Sequence, residues 1–220
     1  MKKQPAINDL LRIMARLRAP DGCPWDREQN HRTLRRHAIE EVYELIDAIE
    51  AEDDHEMAEE LGDLLLQVVF HCQMAKERGV FDFEKVCRLL VEKLVRRHPH
   101  VFGTVKVKNV GEVWANWEKI KKAEKHGTKH ARHSAFDGIP KHLPALLRVE
   151  KLVKKARKAK IPLAGQNSKR RFTKTVLGKE LFNLAELAQA RGWSAEDLLC
   201  MEIKQRERRF RQQERRNPQT

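Results

Sequence analysis

Apolar residues recur every three or four positions along most of this chain, which is the spacing of an amphipathic helix. Two such stripes stand on either side of a polar stretch at residues 52–54. The first stripe comprises Leu34, Ala38, Val42, Leu45, Ile46 and Ile49, and the second comprises Met57, Leu61, Leu64, Leu65, Val68 and Cys72. The polar stretch predicts a turn, so we expect the two segments to pair as an antiparallel helical hairpin.

The same spacing predicts further helices over residues 7–18, 82–97, 114–124 and 143–159. Asp53 is the expected N-cap of the second hairpin helix, and Asp82 that of the helix after it. Gly79 and Pro99 stand where two of these helices are expected to end. The pattern therefore predicts an all-α protein.

Acidic residues border both hairpin stripes in two pairs spaced three apart: Glu41 with Glu44, and Glu60 with Asp63. Glu41 and Glu60 lie at the edges of the stripes, and Glu44 and Asp63 lie further round each helix. Residues three apart share one side of a helix, so the hairpin brings both pairs together. Carboxylates brought this close together repel one another, and a hard divalent cation with oxygen ligands relieves the repulsion. One such pair alone is most often solvated surface, whereas two matched pairs on consecutive helices favour a Mg²⁺ site.

Composition narrows the class of protein. The chain has 220 residues, 35% of them charged, and no apolar run approaches the roughly 20 residues of a membrane span. The N-terminus has no signal-peptide pattern, and the four cysteines show no C-x-x-C spacing. We therefore expect a cytoplasmic protein with reduced thiols and no membrane association.

The net charge of +13 is unevenly distributed. Residues 1–103 hold 16 Lys and Arg against 20 Asp and Glu, so the excess of positive charge lies entirely in the remainder. Basic clusters at residues 151–160 and 206–216 are consistent with binding to nucleic acid or to another polyanion. They are equally consistent with solvated helix faces, which the absence of interleaved aromatics favours.

Two smaller features have both a structural and a functional interpretation. Trp25 follows a turn in the sequence Cys23-Pro24-Trp25-Asp26. Its indole either stacks on a nucleobase or fills the core, and for Trp25 considered by itself the core is favoured. Lys93, Arg96 and Arg97 occupy the last turn of a predicted helix, where cations complement the helix dipole. The same three cations are also suited to contact phosphates.

The last third of the chain contains a weak repeat of the hairpin region. Residues 61–67 align with residues 177–183, and in this alignment Val176 replaces Glu60 and Lys179 replaces Asp63. The segment before it, residues 151–174, has no carboxylate pair. If residues 126–220 are a second copy of the module, that copy has lost its metal ligands.

Taken together, these motifs resemble the all-α nucleoside triphosphate pyrophosphohydrolases of the MazG type. The resemblance rests on E-E-x-x-E followed after fifteen residues by E-x-x-D, on Cys23-Pro24-Trp25-Asp26, on residues 60–70 and on residues 96–103. It is dense over about residues 7–103 and degraded towards the C-terminus.

The resemblance implies a four-helix-type bundle that dimerises, with a catalytic module at residues 1–125 and a degenerate repeat at residues 126–220. It implies that Mg²⁺ is bound by Glu41, Glu44, Glu60 and Asp63, and that a nucleoside triphosphate is cleaved between its α and β phosphates. The other candidate site residues are Glu40 to orient or deprotonate water, Lys93, Arg96 and Arg97 for phosphate, and Trp25 for the base. The alternative is an inactive descendant that binds nucleotide, nucleic acid or a protein partner.

Overall fold

The computed structural model describes residues 5–124, 134–163 and 173–216 and divides the chain into two compact units. Unit 1 spans residues 1–120 and unit 2 spans residues 121–220. Every regular element in the described ranges is a helix, which confirms the predicted all-α class. The expected module boundary between residues 125 and 126 lies outside the described residues.

Among the described residues, seven α-helices begin in unit 1. They are α1 (Ala6–Leu17), α2 (Pro24–Glu28), α3 (His37–Glu50), α4 (Asp54–Glu77), α5 (Phe83–Arg97), α6 (Pro99–Phe102) and α7 (Val110–Ala123). A 3-10 turn at Thr33–Arg35 precedes α3.

Local signals set the ends of these helices. The Asp53 side chain accepts a hydrogen bond from the backbone N–H of Glu56 at 3.1 Å, and the Asp82 side chain accepts one from the N–H of Lys85 at 2.8 Å. Each bond satisfies an N–H that has no partner within the first turn of its helix. After α4, Gly79 adopts a φ of +67°, a conformation that glycine reaches without steric penalty. Both predicted N-caps are confirmed.

The core of unit 1 forms where α1 and the 3-10 turn pack on the C-terminal half of α4. Its buried members are Met14, Leu34, Val69, Phe70 and Met74. The core thus holds α4 on one side, while α3 pairs with α4 through the short connection at residues 51–53.

Most of the two predicted apolar stripes lies outside this core. Leu34 is buried, but the stripes of α3 and α4 include side chains such as Val42 and Leu65 that are 43% and 38% exposed. We call the large exposed side chains of these two helices the outer stripes. Six come from the predicted stripes, namely Val42, Ile46, Ile49, Leu61, Leu65 and Val68, and Ile39 and Tyr43 on α3 are added to them. The helical period of these residues predicted the helices correctly, but it did not identify the face of α4 that the core buries.

In the described part of unit 2 the chain forms α8 (Ala145–Lys158), α9 (Lys174–Ala190) and α10 (Ala195–Arg216). Its core comprises Phe136, Ala145, Leu152, Ala156, Ile161, Ile203 and Phe210. Buried Arg148 donates to Glu207 at 2.9 Å, and Arg211 donates both to Glu207 and to Asp137. Part of the basic charge of unit 2 is therefore neutralised inside the unit.

A candidate metal centre in unit 1

Three carboxylates meet where α3 and α4 pair. Glu41 comes from α3, Glu60 and Asp63 come from α4, and each side chain offers an oxygen that lies within 4.8 Å of the other two. The i, i+3 spacing on α4 places Glu60 and Asp63 on one side of that helix, and the antiparallel pairing brings Glu41 to them. All three residues are half-buried.

The electrostatics of this cluster favour a cation. Partial burial, followed by the charges of Asp63 and Glu44, raises the pKa of Glu41. Partial burial, followed by the charges of Glu44, Asp63 and Glu41, raises the pKa of Glu60. Negative charges held this close destabilise one another, and a bound cation reverses that effect.

One atom supports this reasoning independently. Oε2 of Glu60 is buried and has no hydrogen-bond partner among the described residues. A buried carboxylate oxygen without a partner is unfavourable unless something positive or hydrogen-donating meets it. Three carboxylates with such an oxygen fit a hard divalent cation, because Mg²⁺ and its analogues prefer oxygen ligands.

Glu44, the remaining predicted ligand, and Glu40, the predicted general base, lie at the margin of the cluster. Glu44 is exposed on α3, one turn beyond Glu41, and is not a member of the three-oxygen group. It acts on Glu41 through its charge and a side-chain hydrogen bond, and on Glu60 through its charge. Glu40 is exposed and forms an ion pair with His37 at 3.2 Å, the imidazole being charged only when protonated. The structure therefore brings three of the four predicted ligands together and leaves Glu40 outside them.

The predicted phosphate-binding cations occupy the C-terminal turns of α5. Lys93 and Arg97 are half-buried and Arg96 is exposed. The guanidinium of Arg97 lies over the indole of Trp117 on α7, 5.3 Å from the ring centroid, which is within cation–π range. Trp117 was not among the predicted site residues, although it lies in one of the predicted helices.

Trp25 is on the surface, so its interpretation as a core residue was wrong. Its side chain is 53% exposed and projects from α2, a short helix opened by Pro24. The indole makes edge-to-face contacts with His37 on α3, at 6.2 Å between ring centroids, and with Phe70 on α4, at 6.5 Å. Because one side is packed and the other is open, the ring is held in place while remaining accessible.

Sequence reasoning also missed a histidine pair. Nδ1 of His31 lies 2.7 Å from Nδ1 of His71, and the Arg78 guanidinium donates to Nε2 of His31 at 2.9 Å. A guanidinium only donates, so Nε2 of His31 accepts this hydrogen bond and the ring proton of His31 is on Nδ1. Nδ1 of His31 therefore donates a hydrogen bond to Nδ1 of His71. Burial, followed by the charge of His31, lowers the pKa of His71.

The family model "MazG nucleotide pyrophosphohydrolase domain" matches residues 29–102, a stretch that contains all four predicted ligands. The nucleoside triphosphate pyrophosphohydrolase of Escherichia coli K12 is 51% identical over 150 residues, which cover 68% of this chain and 56% of that protein. This chain contains a MazG domain.

Other relatives define how far the MazG relationship extends. The nucleoside triphosphate pyrophosphohydrolase/pyrophosphatase MazG of Thermotoga maritima is 50% identical over 140 residues, or 64% of this chain and 52% of that protein. An uncharacterised 26.1 kDa protein of Streptomyces cacaoi is 40% identical over 193 residues, or 87% of this chain and 75% of that one. A solved mazG-related protein from Thermotoga maritima has a TM-score of 0.45 at 28% identity and covers 52% of this chain and 98% of its own.

The chain spans about half the length of the relatives named as pyrophosphohydrolases. The matched part includes the carboxylate cluster and the cations of α5, while Trp25 lies just before the matched residues. None of the described helices is long and apolar enough to cross a membrane.

Proposed function

We propose that unit 1 is a Mg²⁺-dependent pyrophosphohydrolase that converts a nucleoside triphosphate to the monophosphate and pyrophosphate. The observation that supports this most directly is the convergence of Glu41, Glu60 and Asp63 with the unpartnered, buried Oε2 of Glu60. The family match and the names of the relatives point to the same reaction.

The cluster residues and Glu44 would hold the divalent metal. When bound, such a metal neutralises phosphate charge and activates a water for attack. Glu40 lies beside Glu41 in the sequence and is exposed, so it is available to orient a water or accept its proton.

The remaining candidates bind the substrate. Lys93, Arg96 and Arg97 would contact the phosphates and balance the charge that develops on the departing pyrophosphate. Trp25 would stack on the base, because its exposed ring is backed by His37 and Phe70 on the same two helices that bear the carboxylates.

We further propose that unit 1 forms a homodimer through the outer stripes. Eight large apolar side chains on two adjacent helices, each between 38% and 55% exposed, are more than an isolated surface normally presents. A helical pair with one apolar side exposed gains stability by packing that side against a second pair.

We propose that residues 126–220 are a degenerate second repeat without a metal of its own. Val176 and Lys179 are exposed on α9, and an ammonium group cannot ligate Mg²⁺. The exposed cations of α8 and α10 keep open a different role, in which this half binds nucleic acid or another polyanion. Measuring binding of the full chain to short oligonucleotides at increasing salt separates that role from a purely structural one.

The catalytic proposal is tested by pyrophosphate release from a panel of nucleoside triphosphates with and without Mg²⁺. We expect release that requires the metal and is abolished in Asp63→Ala. Asp47→Ala is the matched control, because Asp47 is an exposed carboxylate on α3 outside the cluster. Unchanged turnover in Asp63→Ala would remove this residue from the site.

A further inference from the structure

We propose that Gln67 is a positioning residue that orients Glu41 for metal binding, an inference that rests on the proposed function of the carboxylate cluster. Gln67 is the one polar residue in the sequence from 64 to 70, which otherwise reads Leu-Leu-Leu-x-Val-Val-Phe. Its side chain points into the protein, and the residue is only 8% exposed. Helix amphipathicity does not explain a buried amide in the middle of an apolar run.

The amide contacts the cluster directly. Nε2 of Gln67 donates to Oε1 of Glu41 across 3.4 Å, a long hydrogen bond that joins α4 to α3. An ionised carboxylate can only accept, so the amide nitrogen and not the amide oxygen must face Glu41. One oxygen of Glu41 is thereby held by Gln67, which fixes the direction in which the carboxylate presents its other oxygen.

The other end of the amide shows that Gln67 does not serve packing. Oε1 of Gln67 is buried and has no hydrogen-bond partner among the described residues. A buried polar atom in this state destabilises the fold, and an apolar side chain of the same size would avoid that penalty. The hydrogen bond to Glu41, and not packing, therefore accounts for an amide at this position.

A second glutamine on the same helix provides the comparison. Nε2 of Gln73 donates to Oε1 of Glu77 at 3.0 Å, so it makes the same kind of bond with better geometry. Glu77, however, is paired with Arg18 and lies outside the carboxylate cluster. Gln73 therefore controls for the loss of a glutamine–glutamate bond on α4 without touching the metal centre.

The experiment compares Gln67→Met with Gln73→Met in the full chain, because methionine keeps nearly the same length without donating. Mg²⁺ binding is measured by calorimetry, and Tm is measured without metal. For Gln67→Met we expect Mg²⁺ to bind about 10- to 100-fold more weakly, the range for losing a group that orients a metal ligand. Its metal-free Tm should be unchanged or higher. Gln73→Met should bind Mg²⁺ as the wild type does.

The opposing directions of the two readouts make the result decisive. Wild-type affinity in Gln67→Met would overturn the inference, as would a weakened affinity accompanied by a lowered Tm, since that pattern indicates a structural role. Gln67→Leu serves as the second variant if the methionine variant does not fold. If the wild-type chain itself binds no Mg²⁺, the proposed function fails first, and the two failures remain distinguishable.

Discussion

Replacing Arg18 with methionine should destabilise unit 1 far more than removing an ordinary surface arginine. Arg18 follows the last residue of α1, and its side chain is only 9% exposed. Its guanidinium forms two 2.8 Å bonds with the carboxylate of Glu77 and also donates to the backbone carbonyls of Asp26 and Gln29. It lies over the ring of Phe70 at 5.5 Å. One side chain thus connects α1, the α2 segment and the end of α4.

The magnitude follows from what the substitution leaves behind. Hydrogen bonds from Arg18 are the main cause that lowers the pKa of Glu77, so losing the arginine removes the interaction that stabilises this charged carboxylate. Removing one partner of a fully buried ion pair costs about 3–5 kcal/mol. Because the Glu77 side chain is 35% exposed, water recovers part of that loss, and we expect about 2–3 kcal/mol.

Urea unfolding followed by tryptophan fluorescence measures this cost. In a Trp193→Phe background, the remaining tryptophans, Trp25, Trp114 and Trp117, all lie in unit 1, so the signal reports that unit. With a slope of about 1–3 kcal/mol per molar urea, Arg18→Met should lower the midpoint by about 0.7–3 M.

Arg12→Met is the matched control. Arg12 also lies on α1 and pairs with Asp9 at 2.9 Å, but the two side chains are 79% and 50% exposed. An exposed pair of this kind contributes about 0–0.5 kcal/mol, so its midpoint should hardly move. Equal midpoints for Arg18→Met and Arg12→Met would refute the argument that burial gives this ion pair its importance.

Three further predictions concern assembly, pH and the second half of the chain. Leu65→Glu should shift the protein from dimer to monomer in light scattering at micromolar concentration, because it places a charge in the outer stripes; a wild-type chain that is already monomeric would contradict the proposed interface. Burial, followed by the charge of His31, lowers the pKa of His71 below 6.5. The neutral His71 ring therefore contributes its full stability above pH 6.5, and this contribution is lost as the pH falls through the folded-state pKa. The urea midpoint should therefore fall more steeply from about pH 7 to about pH 5 in the wild type than in His71→Phe, and equal slopes would remove His71 as the cause. Deleting residues 126–220 should spare Mg²⁺ binding measured by calorimetry, and loss of binding with an intact helical signal would show that the second half supplies ligands.

The sequence alone determined the features of this protein that depend on neighbouring residues. Apolar spacing predicted the helices, Asp53 and Asp82 predicted where two of them begin, and the i, i+3 spacing put Glu60 and Asp63 on one side of α4. Each of these follows from the geometry of a single helix and the needs of its first turn. The short polar connection after α3 also predicted the hairpin, because a connection of three residues favours an antiparallel arrangement of the two helices.

Tertiary structure alone decided which surfaces are buried and which partners meet across the fold. Helical period shows that Leu65 and Phe70 lie on different faces of α4, but only the packing of α1 shows that Phe70 is in the core while Leu65 is exposed. In the same way, Arg18 and Glu77 are 59 positions apart, and no local rule joins them. Burial and long-range pairing depend on how whole helices dock, a choice that each residue's immediate neighbours do not contain.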